Sequence, residues 1–112
     1  MIGLDLTRIS RFENIDLKRL GAKLGHELDS PKTAAKIWAV YEALTKAEGR
    51  KINPHKIKIS FQRACAPSVD NIDIPLVSNP EKELKGEYIL SLTHEGDYVA
   101  VVALNVNFIK RG

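Results

Sequence analysis

The spacing of apolar and polar positions changes twice along the chain, and each change predicts a new kind of element. Residues 2–6, IGLDL, are apolar-rich with Asp5 at an alternating position, which predicts a short first strand. In DLKRLGAKLGHEL, Leu17, Leu20 and Leu24 recur at i, i+3 and i+7. That segment and the preceding ISRFEN predict short helices, with Lys18, Arg19 and Lys23 off the stripe and facing water. A long helix follows. Ser30 is a good N-cap, and Pro31 suits the first helical position because its missing N–H would have no helical partner. The run KTAAKIWAVYEALTKAEG ends at Gly49, the residue type favoured just past a helix end. Ile37, Val40, Leu44 and Ala47 form one apolar stripe, and Ala34, Trp38 and Tyr41 widen it, so this helix is expected at the centre of the domain.

Beyond the helix the period becomes two. IKISFQR (57–63) alternates, as do parts of NIDIPLV (71–77), where Pro75 predicts an edge strand or a break. NPEKELKGE is a polar turn. YILSLT and YVAVVALNV flank His94-Glu95-Gly96-Asp97, predicting an antiparallel hairpin with His94 where its first strand ends. A strand, then helices, then several strands give the α+β class, and 112 residues allow one domain, 1–112.

Composition narrows the function classes. No stretch approaches the roughly 18 apolar residues of a spanning helix, and MIGLDLTRIS has no basic leader before an apolar run. One cysteine, Cys65, cannot form an internal disulfide, and four-ligand Cys/His spacings are absent; a reducing, cytoplasmic setting and a structural role for Cys65 are expected. Residues 1–63 carry 13 Lys/Arg against 7 Asp/Glu, and residues 64–112 carry 4 against 7, net charges of +6 and −3. An acidic protein or a phosphate-rich ligand suits the first half, although solvated helix faces would show the same excess.

Four residues invite a chemical reading. Glu42 and Lys46 stand four apart on the long helix, one turn beyond Trp38. They form either an exposed ion pair of about 0.3 kcal/mol or a metal-binding carboxylate beside a cation for phosphate, followed by Gly49, Arg50 and Lys51. Asp5 interrupts an apolar strand: it either points to solvent or is buried, where it needs a partner or a metal. His94 is a surface residue or a ligand contact.

The order of these segments resembles holo-acyl-carrier-protein synthase, the small bacterial type of phosphopantetheinyl transferase. Gly3-Leu4-Asp5 with Arg11-Phe12 is similar to the family's G-x-D-x(5)-R-F. Residues 38–47, WAVYEALTKA, are similar to its F-A-x-K-E-A-x-x-K-A helix, and residues 90–98, LSLTHEGDY, to its L-S-x-S-H-x-x-x-Y hairpin. The resemblance implies a transfer of the phosphopantetheine arm of coenzyme A to a serine hydroxyl of acyl carrier protein, with release of adenosine 3',5'-bisphosphate. It implies Mg²⁺ held by Asp5 and Glu42, and catalysis by Glu42 with Lys46 on the pyrophosphate. Gly49 and His94 would join Lys46 in the coenzyme A site, and Arg11 would grip the acidic carrier. It also implies a homotrimer with active sites in the subunit clefts, and the fold of that family: a central helix on a mainly antiparallel sheet with a C-terminal hairpin.

Several positions depart from that pattern. Tyr41 stands where the family usually has lysine, leaving a hydroxyl to donate to phosphate. The segment before the long helix is short, and Lys36 is the nearest cation ahead of Glu42. Arg50-Lys51 follows Gly49 where a further glycine is usual, and Thr93 replaces serine. They motivate an alternative, a catalytically weakened relative that binds coenzyme A or carrier protein. A small basic nucleic-acid-binding domain is a third reading, but it needs exposed aromatics among the basic residues, and Trp38 and Tyr41 are expected in the helix core.

Overall fold

The structure, a computed structural model, describes residues 2–66 and 69–107, without the side chains of residues 64–72. The expected role of Cys65 therefore lies outside the described residues. Strand β1 (Ile2–Arg8) runs into a 3-10 turn (Ile9–Phe12) and helix α1 (Leu17–Leu24), followed by helix α2 (Pro31–Glu48). A second 3-10 turn (Pro54–Lys56) leads to strands β2 (Lys58–Ala66), β3 (Val69–Ser78), β4 (Tyr88–Glu95) and β5 (Tyr98–Asn105).

Both helices begin and end as their sequences dictate. Asp16 caps α1 through the Arg19 N–H, and Ser30 caps α2 through the Thr33 N–H, with Pro31 in the first turn. Gly25 and Gly49 close them at φ of 67° and 73°, left-handed values that favour glycine.

The described strands are all antiparallel, as expected, and form two sheets. β1, β5 and β4 make the first in that order, and β2 pairs with β3 in the second. Pro75, which has no N–H to donate, lies in a strand with one paired edge. His26 joins α1 to β2: its Nδ1 donates to the Leu24 carbonyl at 2.7 Å, and its Nε2 accepts from the Ile59 N–H at 2.8 Å.

The core lies between α2 and the three-stranded sheet. Its inner face carries Val99, Val101 and Ala103, all fully buried, and α2 contributes Ile37, Val40 and Leu44. Alanines at every fourth position of α2 (35, 39, 43 and 47) are buried as well. At Gly3 a Cβ would overlap the Ala43 carbonyl oxygen and come within 2.8 Å of the Ala47 nitrogen, so β1 lies backbone to backbone on the helix. Only a glycine against a ridge of alanines permits that approach.

β1 is apolar on the wrong side for a simple amphipathic strand. Gly3, Asp5 and Thr7 face α2, while Ile2, Leu4 and Leu6 are 54%, 59% and 65% exposed. The register extends this outer face across the sheet through Val102 and Ile89, both also exposed. Exposed apolar faces of this kind occur where proteins meet a partner, a ligand or a membrane.

Candidate functional site

The site follows from where β1 crosses α2. Gly3 meets Ala43 and Ala47, and two residues later on the same face Asp5 is buried beside Lys46. The Lys46 ammonium donates to Asp5 Oδ1 at 3.2 Å and to the Leu4 carbonyl at 2.9 Å. The Thr7 hydroxyl donates to the other oxygen, Asp5 Oδ2, at 2.5 Å. Of the two fates left open for Asp5, the structure selects burial with partners.

Trp38, Glu42 and Lys46 follow one another at i, i+4 and i+8 along one side of α2, in steps of about 6 Å. Glu42, in the middle, is half-buried and has no hydrogen bond or ion pair among the described residues. At the Trp38 end lies Arg11, exposed, its guanidinium 5.0 Å from the Trp38 ring centroid and 5.5 Å from that of Phe12. At the other end Gly49 terminates the helix, donating to the Thr45 and Lys46 carbonyls, and nothing lies within 4 Å of where its Cβ would project.

His94 arrives from the sheet. The register sets Thr7, Val99 and His94 in one row, so His94 lies on the face of the sheet that carries Asp5. It is exposed and contacts neither Asp5 nor Lys46; its Nε2 lies 3.0 Å from the Gly96 carbonyl oxygen. The β4–β5 turn is pinned to the first 3-10 turn by Asp97, whose carboxylate accepts from the Ser10 N–H at 2.9 Å and the Ser10 hydroxyl at 2.6 Å. That clamp brings the His94 end of the hairpin to the start of the Arg11 segment. Sequence reasoning missed it because Ser10 and Asp97 are joined only by the fold.

One sequence expectation is corrected. Tyr41 does not offer its hydroxyl to a ligand: it is buried and donates to the Ile52 carbonyl at 3.1 Å. Lys36, the nearest cation ahead of Glu42 in the sequence, is engaged elsewhere. Its ammonium donates to Asp73 on β3 and lies 5.7 Å from the Phe61 ring centroid. That contact holds the Asp73 carboxyl below its ordinary range.

Glu48, at the end of α2, was not singled out in the sequence. Its carboxylate accepts from the Lys85 N–H at 3.0 Å, the Gly86 N–H at 3.1 Å and the Tyr88 hydroxyl at 2.6 Å, with Arg50 Nη2 at 3.1 Å. Burial pushes the Glu48 carboxyl up, but these donors together outweigh it and hold the group below the usual carboxylate range. Tyr88 is pushed up to about 12 by burial and by its bond to the Glu48 carboxylate. This cluster joins the end of α2 to the start of β4 and leaves Glu48 no free valence for a ligand.

Among the described residues no three His, Cys, Asp or Glu side chains gather as a metal cage. Asp5 and Glu42 fit a cation that needs only one or two protein carboxylates and completes its shell with phosphate oxygens and water, as Mg²⁺ does. The hard oxygen donors, and a Glu42 with no partner among the described residues, match that requirement. No helix among the described residues is long and apolar enough to cross a membrane.

No family model and no curated protein sequence matches the chain. Solved structures do. The chain is similar to Helicobacter pylori holo-[acyl-carrier-protein] synthase in complex with coenzyme A, at 22% identity and a TM-score of 0.67, over 94% of this chain and 99% of that one. It is also similar to holo-ACP-synthase from Plasmodium yoelii, at 22% identity and a TM-score of 0.62, over 93% of this chain and 91% of that one. With the central helix, the antiparallel sheets and the C-terminal hairpin in the same arrangement, the chain has the holo-acyl-carrier-protein synthase fold.

Proposed function

We propose that this protein is a phosphopantetheinyl transferase that moves the phosphopantetheine arm of coenzyme A to a serine hydroxyl of an acyl carrier protein. The observation that carries the reading is the placing of Asp5: a buried carboxylate on β1, held against α2 by Lys46, with Glu42, which has no partner among the described residues, one helical turn from Lys46.

In this reaction a serine oxygen forms a bond to one phosphorus of a pyrophosphate while the bridging oxygen leaves with adenosine 3',5'-bisphosphate. Charge grows on the leaving and equatorial oxygens, so positioning and neutralisation carry the catalysis. Lys46, half-exposed on a flexible stem, turns from Asp5 to the pyrophosphate and holds the leaving oxygen. Asp5 and Glu42 would hold Mg²⁺, which when bound neutralises the pyrophosphate. Gly49 admits the nucleotide to the helix end, and His94 contacts it from the hairpin. Arg11, exposed on its aromatic base, meets the acidic carrier.

The outer sheet face of Ile2, Leu4, Leu6, Ile89 and Val102 supports a homotrimer, which size exclusion with light scattering reads directly. The reaction itself is tested by intact-mass spectrometry of apo carrier protein incubated with this protein, coenzyme A and Mg²⁺. A phosphopantetheine-sized gain that EDTA abolishes upholds the reading. No gain across a panel of carriers, with coenzyme A still bound, overturns it in favour of a binding protein without turnover. The commitment of Tyr41 and Lys36 to internal partners favours that second reading, because it removes two cations or donors from the ligand side.

A further inference from the structure

Thr7 has a hydroxyl that packing does not explain. It is 4% exposed, on the same inward face of β1 as Asp5, in a row with Val99, where a valine would fill the same space. The hydroxyl's described partner is Asp5 Oδ2. Lys46 takes the opposite oxygen, Oδ1, from a side chain that is 52% exposed. The two partners of Asp5 therefore differ in kind: one buried and carried by the same strand, and one on a half-exposed side chain that is free to leave.

We propose that Thr7 is a positioning residue for Asp5, holding Oδ2 so that Oδ1 faces the Glu42–Lys46 side of α2 ready for a divalent cation. This rests on the transferase reading. A carboxylate at the end of two rotatable bonds loses freedom when it binds a cation, and a hydrogen bond already in place removes that loss beforehand. When Lys46 turns to an incoming phosphate, Oδ1 is released while Thr7 keeps the carboxylate from following.

The test compares the wild-type protein with Thr7→Val and Thr7→Ser. Mn²⁺ is titrated in the presence of coenzyme A, with the free-ion electron paramagnetic resonance signal as the readout. Thr7→Val should bind Mn²⁺ about tenfold more weakly, the scale of a lost partner to a metal ligand. Thr7→Ser, which keeps the hydroxyl, should recover most of that loss. In the transfer assay the Mg²⁺ requirement of Thr7→Val should rise more than kcat falls. A merely structural role would move the melting temperature and leave Mn²⁺ affinity alone. Thr7→Ala, also lacking the hydroxyl, gives the same comparison if the valine variant does not fold. Equal affinity in wild type and Thr7→Val, or equal weakening in Thr7→Val and Thr7→Ser, overturns the proposal. Asp5→Asn is the control that separates the two levels. Wild-type protein that binds no Mn²⁺, or binds it unaffected by Asp5→Asn, overturns the metal reading and the role of Thr7 with it.

Discussion

Glu42 and Glu48 lie on the same helix, and the fold treats them in opposite ways. Glu48 is saturated: two backbone N–H groups, the Tyr88 hydroxyl and the Arg50 guanidinium surround its carboxylate. Glu42 is half-buried with no partner among the described residues, on the side of α2 from which Lys46 reaches Asp5. Taking a carboxylate out of water is costly unless donors replace the water. At Glu48 the protein supplies those donors and gains a tie between α2 and β4. At Glu42 it does not, and the group stays available to something that binds. On the transferase reading, a carboxylate's open valences separate the part of α2 that serves stability from the part proposed to serve a ligand.

Removing the saturated carboxylate should have the largest effect on the fold. Glu48→Ala leaves the Tyr88 hydroxyl and two N–H groups without that acceptor, while Arg50 keeps Glu83, and should lower the unfolding free energy by about 2–4 kcal/mol in urea titrations. Glu48 and Asp73 both sit below the ordinary carboxylate range. Their contribution is complete above the unfolded pKa, near 4, and is lost as pH falls through the lower folded values. Wild-type protein should thus lose stability progressively below about pH 4, and Glu48→Ala should flatten that limb.

Tyr88→Phe removes one donor to that carboxylate and should cost about 1.5–3 kcal/mol at neutral pH. The folded phenol is raised from 10.0 to about 12, so its contribution is whole below pH 10 and disappears as pH rises toward 12. Thermal melts across that range should show an alkaline decline in wild type and a flatter profile in Tyr88→Phe. Gly3→Ala should cost about 1–3 kcal/mol, because the methyl meets helix backbone that must move. It should also lower transfer activity by shifting Asp5 away from α2. The smallest effect is expected at Arg11. Arg11→Ala loses about 0.5–1 kcal/mol of ring contact. It should raise KM for the carrier protein and reduce the salt dependence of that step, with kcat nearly unchanged.

Much of this architecture was legible beforehand, because its signals are local. Ser30, Pro31 and Gly49 mark the ends of α2, the period-two runs mark the strands, and Gly96-Asp97 marks the hairpin turn. Asp5, Glu42 and Lys46 were recognisable as a set through the family's spacing, and Asp5 and Lys46 do meet. What was not legible depends on partners far along the chain. Nothing near Tyr41 says that its hydroxyl will find the Ile52 carbonyl, and nothing near Lys36 points to Asp73 on the second sheet. The inverted face of β1 was hidden as well, since alternation reveals two faces and not which one the helix will cover. One signal was overlooked: alanines at every fourth position of α2, with a glycine on β1, announce a close backbone crossing.

The most direct measurement is the initial rate of carrier modification by Glu42→Gln and wild type, read by intact mass well below both melting temperatures. If Glu42 is held open for the reaction, kcat should fall by about 10²–10³ while the unfolding free energy stays within about 0.5 kcal/mol of wild type. A Glu42→Gln protein that transfers at the wild-type rate, or that loses its activity only by unfolding, would contradict the division of labour along α2.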